Sequence, residues 1–224
     1  KELDEDLLAT GVKLPNRFLQ YSDAETTEHL ATSEGIRITQ KLPKVHLFYN
    51  YVIQANGETR QKFCEYGATQ GWEAVLGWKL NTALAEQVKG LQKNILEGKT
   101  PPKEKIDIVV SPEVTGIMVH ESVGHPYEAD RILGREAAQA GESFITQDMI
   151  GQRIGSDAVT VCDDPTLPNG FGHYKYDNEG VRAKRKHLIK NGMIHEFLHN
   201  RETAAAMNHG RSNGSSRATD YDKE

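Results

Sequence analysis

Cysteine is nearly absent from this 224-residue chain: Cys64 and Cys162 stand far apart and form no Cys-x-x-Cys pair. A disulfide scaffold and a four-thiolate zinc site are thereby excluded. The two thiols read as small apolar groups packed in strands of a cytoplasmic protein in a reducing compartment. Long apolar runs are missing too. None approaches the ~20 residues that cross a bilayer, and the start Lys1-Glu2-Leu3-Asp4 does not have the pattern of a signal peptide. Positive charge is not in excess either. With 27 Lys and Arg against 32 Asp and Glu, the formal net charge is −5, and the pI is near 6.0. That balance gives no basis for direct contact with nucleic acid or an anionic membrane. An initiator Met is lacking, and the last residues, Ala218 to Glu224, read as mid-loop; the expectation is a fragment of a longer polypeptide.

What is present divides into three sections without internal repeats: residues 1–70, 71–155 and 156–224. Together they predict an α+β fold. Residues up to about Thr27 are polar and poorly patterned, and no structure is assigned to them. From Glu28 to about Ala68 an antiparallel β-meander is expected: Ile36-Arg37-Ile38-Thr39 alternates, Val45 to Gln54 is aromatic and β-branched, and Asn56-Gly57 supplies a hairpin turn. Leu80, Leu84, Val88, Leu91 and Ile95 then form one apolar stripe of a long amphipathic helix, closed by Gly98 and Pro101-Pro102. Ile106 to Val110 reads as a buried strand feeding a helix that starts at Ser111-Pro112-Glu113, with Ser as N-cap and Pro at the first position. Val114, Ile117 and Met118 are expected to point from that helix into the core. Arg131 to Gly155 reads as a mobile or substrate-contacting loop, Ala158 to Cys162 as a strand, and Lys186 to Leu198 as a hairpin around Asn191-Gly192.

Two segments carry histidines beside a glutamate. In His120-Glu121-Ser122-Val123-Gly124-His125 the histidines are five apart. Neutral imidazoles are ligands for a catalytic zinc, and a neighbouring carboxylate can take a proton from metal-bound water, whose pKa falls to roughly 7. On a regular helix a five-residue step separates side chains by about 140° and about 7.5 Å along the axis. Shared ligation therefore needs either a π-bulge or a helix that ends at Gly124, leaving His125 on the turn before Pro126. The alternative is a helix end bearing two unrelated polar residues; a strand feeding a capped helix is the rigid mount that a metal site needs. Glu128 and Asp130 follow, placed either to orient an imidazole through its free N–H or to serve as exposed charges.

His195-Glu196-Phe197-Leu198-His199 matches the more familiar His-Glu-x-x-His pattern. Its context argues against it. Asn191-Gly192 fixes a hairpin three residues earlier, so a returning strand would send His195 and Glu196 to opposite sides.

From about Gly71 to Tyr221 the chain resembles the TldD/PmbA metallopeptidases, on the TldD side. The resemblance rests on colinear blocks: Gly116 through Asp130 with His-Glu-x-x-x-His, Val159-Thr160-Val161 with Asp163-Asp164, Asp177-Asn178-Glu179-Gly180, Leu188 to Gly192, and Gly210 to Arg217. It implies that His120 and His125 bind Zn2+ and that Glu121 is the general base. It also implies a third ligand, a cysteine, in a C-terminal β-rich region absent from this chain; Cys162 occupies a position where the family usually has an aliphatic residue. Much of the family's N-terminal region is likewise missing, so a fragment inactive by itself is expected. The implied whole is a cytoplasmic heterodimer with a PmbA-like subunit, hydrolysing small unfolded peptides bound as extended strands. Two other readings stay open: a non-catalytic subunit or binding module of such a complex, and a gyrase-modulating regulatory protein.

Overall fold

The computed structural model describes residues 2–135 and 143–218. The α+β expectation holds, with two three-stranded sheets and a set of mostly short helices. Among the described residues no helix is long and apolar enough to cross a membrane. The chain forms two compact units, and neither is continuous in sequence.

The first unit takes residues Lys1–Thr27, Lys41–Ile106 and Asn169–Gly172. Helix α1 (Glu2–Leu8) precedes strands β1 (Asn16–Ala31), β2 (Arg37–Ala55) and β3 (Glu58–Ala68). On β2, Val45, Leu47, Tyr49, Tyr51 and Ile53 are all buried, every second residue along the strand. This is the period-two signature of a sheet with one covered face. Asn56 and Gly57, both at positive φ, turn the chain so that Ala55 pairs with Glu58 in an antiparallel ladder. Strand β1 begins at Asn16, well before the expected Glu28. It is an edge strand exposed along most of its length, so no alternation marks it. Helices α2 (Glu73–Gly77) and α3 (Leu80–Glu97) follow. The predicted stripe of α3 is the packed one: Leu80, Leu84 and Val88 are buried, and Leu91 and Ile95 lie against the same cluster.

The second unit takes residues Glu28–Gln40, Asp107–Pro168 and His173–Glu224. It contains α4 (Pro112–Val119), a π-turn at His120–Gly124, a 3₁₀ turn at His125–Tyr127 and α5 (Ala129–Ile132). Strands β4 (Val161–Asp163), β5 (Lys186–Lys190) and β6 (Met193–Ile194) make an antiparallel sheet, followed by α6 (Arg201–Ala206). The Asn191-Gly192 hairpin forms as predicted: both residues have positive φ, and Ile189 pairs with Ile194. Val123, Tyr127, Ala129, Ile145, Leu188, Ile189, Ile194, Phe197 and Met207 form its core.

Three expectations fail here. Ile106–Val110 is in no strand, and Ile108 and Val109 are 72% and 104% exposed. Helix α4 buries none of its residues; Val114, Ile117 and Met118 all face outward. An apolar pattern says which face seeks cover but not whether the rest of the chain supplies it. Cys162, on the edge strand β4, is exposed, since among the described residues no element covers the face it lies on. Of the expected loop Arg131 to Gly155, residues 136–142 lie outside the described set; the remainder contains the end of α5 and a 3₁₀ turn at Gln147–Met149.

Candidate metal centre

The site begins with a helix start that the sequence specifies. Ser111 is extended at the N-cap and its Oγ accepts from the Val114 N–H, with Pro112 at the first helical position. Two turns on, the hydrogen bonding changes. The His125 N–H donates to the His120 carbonyl, closing an i→i+5 turn. In such a turn residues five apart stack much as residues four apart do in an α-helix. The five-residue spacing and the widened backbone therefore belong together. Gly124 is not demanded by sterics: its backbone is right-handed, and an added Cβ would meet nothing nearer than the Val119 carbonyl at 3.9 Å.

The consequence is convergence. The rings of His120 and His125 lie 4.4 Å apart between centroids at 86°. His120, Glu121 and His125 each offer one donor atom, all within 4.8 Å of one another. Glu121 Oε1 is 3.9 Å from His120 Nε2. His120 and Glu121 are exposed and His125 half-buried, so the cluster faces outward from a packed base. Val123, Pro126 and Tyr127 are that base, all buried.

Glu128 and Asp130 separate in role. Glu128 Oε1 lies 3.0 Å from His125 Nδ1, and its Oε2 accepts from the Nε–H of Arg131, whose side chain is 5% exposed. Asp130 turns its carboxylate onto the N–H of Arg131 instead. Arg131 was not singled out from the sequence; its i+3 spacing from Glu128 was the available signal.

The second His-Glu segment is built differently. His195 is exposed, with Nδ1 3.2 Å from the His187 carbonyl oxygen, while Glu196 accepts from the His187 N–H. His199 is buried just before the N-cap of α6, with Nδ1 3.3 Å from Thr203 Oγ1. Burial, then the neighbouring His209, push its pKa down to about 4. Asn213, also fully buried, brackets this stretch by accepting from the His199 N–H and donating to the Phe197 carbonyl. The aspartate pair of the 163–164 block is held by cations: Asp163 by fully buried Lys186 at 2.6 Å and Asp164 by Arg185. A Thr166 hydroxyl hydrogen bond, aided by Arg185, keeps the Asp164 carboxyl below its ordinary range.

The family model for the PmbA/TldA metallopeptidase C-terminal domain matches residues 103–224, more than half of the chain. The chain belongs to the PmbA/TldD family. Metalloprotease MJ0996 of Methanocaldococcus jannaschii is 35% identical over 214 residues, covering 92% of this chain and 44% of that protein. A zinc metalloprotease TldD homolog of Saccharolobus solfataricus is 30% identical over 175 residues, covering 76% and 36%. The chain thus spans less than half the length of these curated relatives. Among solved structures, a protein named as a DNA gyrase modulator from Bacteroides thetaiotaomicron superposes with a TM-score of 0.72 at 15% identity, covering 96% of this chain and 48% of the other. TldE from Thermococcus kodakarensis superposes at 0.61 with 18% identity, covering 87% and 41%. These two likenesses concern the fold.

Proposed function

We propose that this chain carries the zinc-binding and proton-transferring part of a metallopeptidase that hydrolyses small unfolded peptides. The observation that carries the reading is the convergence of His120, Glu121 and His125 on the π-turn. The donor set fits zinc, which takes imidazole nitrogen readily. His120 and His125 would hold the metal. When bound, zinc supplies Lewis-acid polarisation of a carbonyl and a water acidified to a pKa near ~7.

The chain's own groups do the rest. Glu121 is exposed beside His120, with its carboxylate free to take a proton from water at that face and return it to the leaving amine. Glu128 Oε1, 3.0 Å from His125 Nδ1, would accept the N–H of that nitrogen and so leave Nε2 for the metal. Catalytic zinc sites use three protein ligands, and the His120–Glu121–His125 cluster contains no cysteine. We assign the third ligand to a cysteine in the part of the family's proteins that this chain does not span, so hydrolysis belongs to the completed site. The names of the relatives support the metallopeptidase reading. The same reading pairs the chain with a PmbA-like subunit in the cytoplasm; a TldE structure shares its fold.

Glu121→Gln tests the reading in an active preparation. It should keep its metal and fold yet lose peptide hydrolysis by roughly 10²–10⁴-fold, the usual worth of general acid–base catalysis. Cleavage at the parent rate would refute the assignment.

A further inference from the structure

We infer that buried Arg131 is a positioning residue that acts through Glu128 to set the tautomer of His125 before any metal arrives. The proposal extends the zinc reading, but its first half concerns the metal-free chain alone.

A guanidinium taken out of water is costly unless an anion meets it, and its planar fork holds a carboxylate in one orientation. Arg131 has that partner in Glu128 Oε2. The root of Glu128 is fixed as well. The Ala129 N–H donates to the Leu198 carbonyl at 3.0 Å, and the Leu198 N–H to the Tyr127 carbonyl at 2.8 Å. Tyr127 and Ala129 are fully buried. With its backbone clamped and one oxygen taken, Glu128 has one oxygen left, and it lies 3.0 Å from His125 Nδ1. An ionised carboxylate only accepts hydrogen bonds. The proton of a neutral His125 therefore sits on Nδ1, leaving the Nε2 lone pair for a ligand. Among the described residues His120 has no comparable anchor; its side chain is 62% exposed and its carboxylate neighbour is 3.9 Å away. His125 is thus the pre-set member of the pair and His120 the adjustable one.

The relay makes a specific prediction for Glu128→Gln. A carboxamide has one accepting end and one donating end. Facing Arg131, which only donates, its oxygen must turn to the guanidinium and its NH2 to His125. That NH2 needs an acceptor, so the His125 proton moves to Nε2, where it blocks the ligand position. In Glu128→Gln/Arg131→Met the carboxamide is free to turn, and the Nδ1–H tautomer returns. Arg131 is buried and Glu128 half-buried; removing both charges avoids the unpaired buried charge that removing one leaves, and urea unfolding of the double variant checks its fold.

The experiment reads the His125 tautomer by long-range proton–nitrogen NMR in the metal-free full chain at about pH 8, where an ordinary imidazole is neutral. Zinc titration of the same samples follows. Expected are Nδ1–H in the parent, Nε2–H in Glu128→Gln with zinc affinity down about 10–100-fold, and recovery of both in the double variant. An Nε2–H parent, an unchanged Glu128→Gln tautomer, or a double variant that stays inverted would each overturn the proposal. If the tautomers follow the expected pattern while no variant binds zinc, the relay stands and the metal assignment falls. If zinc binds and the tautomers do not move, the reverse holds.

Discussion

The segments His120–His125 and His195–His199 share a His-Glu start and differ by one residue in spacing, yet the backbone treats them in opposite ways. The first widens into a π-turn that brings two imidazole rings edge to face and leaves Glu121 exposed beside them. In the second the returning strand ends at Ile194, and irregular chain beyond it exposes His195 and buries His199. Its polar groups are spent on structure: Glu196 accepts a backbone N–H, and His199 packs against Thr203 and His209. Residue spacing assigns side chains to a common face only once the backbone conformation is known. The textual match to the familiar motif is therefore the weaker guide, and the adjacent Asn-Gly turn the stronger one.

The carboxylates should divide most sharply. Glu121→Gln is expected to lose roughly 10²–10⁴-fold in peptide hydrolysis with unchanged stability. Glu196→Gln should keep hydrolysis and lose about 1 kcal/mol of stability from a weakened hydrogen bond to the His187 N–H. Kinetics and urea unfolding of both variants check the contrast, and an activity loss at Glu196 would break it.

Next in size is an acid response from the second segment. The folded His199 has a pKa near 4 against an ordinary 6.5, so between those values the unfolded state binds the additional proton. Stability tied to neutral His199 is present above about pH 6.5 and is lost as pH falls toward 4, by roughly 3 kcal/mol in all. Unfolding measured across that window in His199→Gln should show a correspondingly shallower slope. Equal slopes would mean that His199 does not titrate as a buried group.

Smallest are the two hairpin glycines. Gly57 and Gly192 both have φ +76, but an alanine Cβ at 57 meets open space, whereas at 192 it falls 2.3 Å from the Gly155 carbonyl oxygen. Gly57→Ala should cost about 1–2 kcal/mol from left-handed strain alone. Gly192→Ala should cost clearly more, since backbone must move. Thermal denaturation of the pair checks this, and equal shifts would remove the hairpin as the fixed element beside His195.

Much of this contrast was legible in the sequence. The turn at Asn191-Gly192, the stripe on α3, the Ser-Pro start of α4 and the need for irregular backbone between His120 and His125 all follow from local rules that the structure obeys. What was not legible depends on neighbours distant in sequence. Strand β1 is exposed along most of its length and carries no alternation; Ile108, Val109 and Ile117 are apolar without being covered; the pairing of fully buried Lys186 with Asp163 joins residues that no spacing rule links. Arg131 lies between these cases. Its reach to Glu128 is local, but its burial is decided by the packing around α5.

The central claim is that the π-turn histidines, and not those of the hairpin, hold the metal. Elemental analysis of the intact protein, third ligand included, and of its His125→Ala and His195→Ala variants, each loaded with zinc and then freed of excess, tests it most directly. The account predicts about one zinc in the parent and in His195→Ala, and loss of it in His125→Ala. Full zinc in His125→Ala with loss in His195→Ala would contradict it.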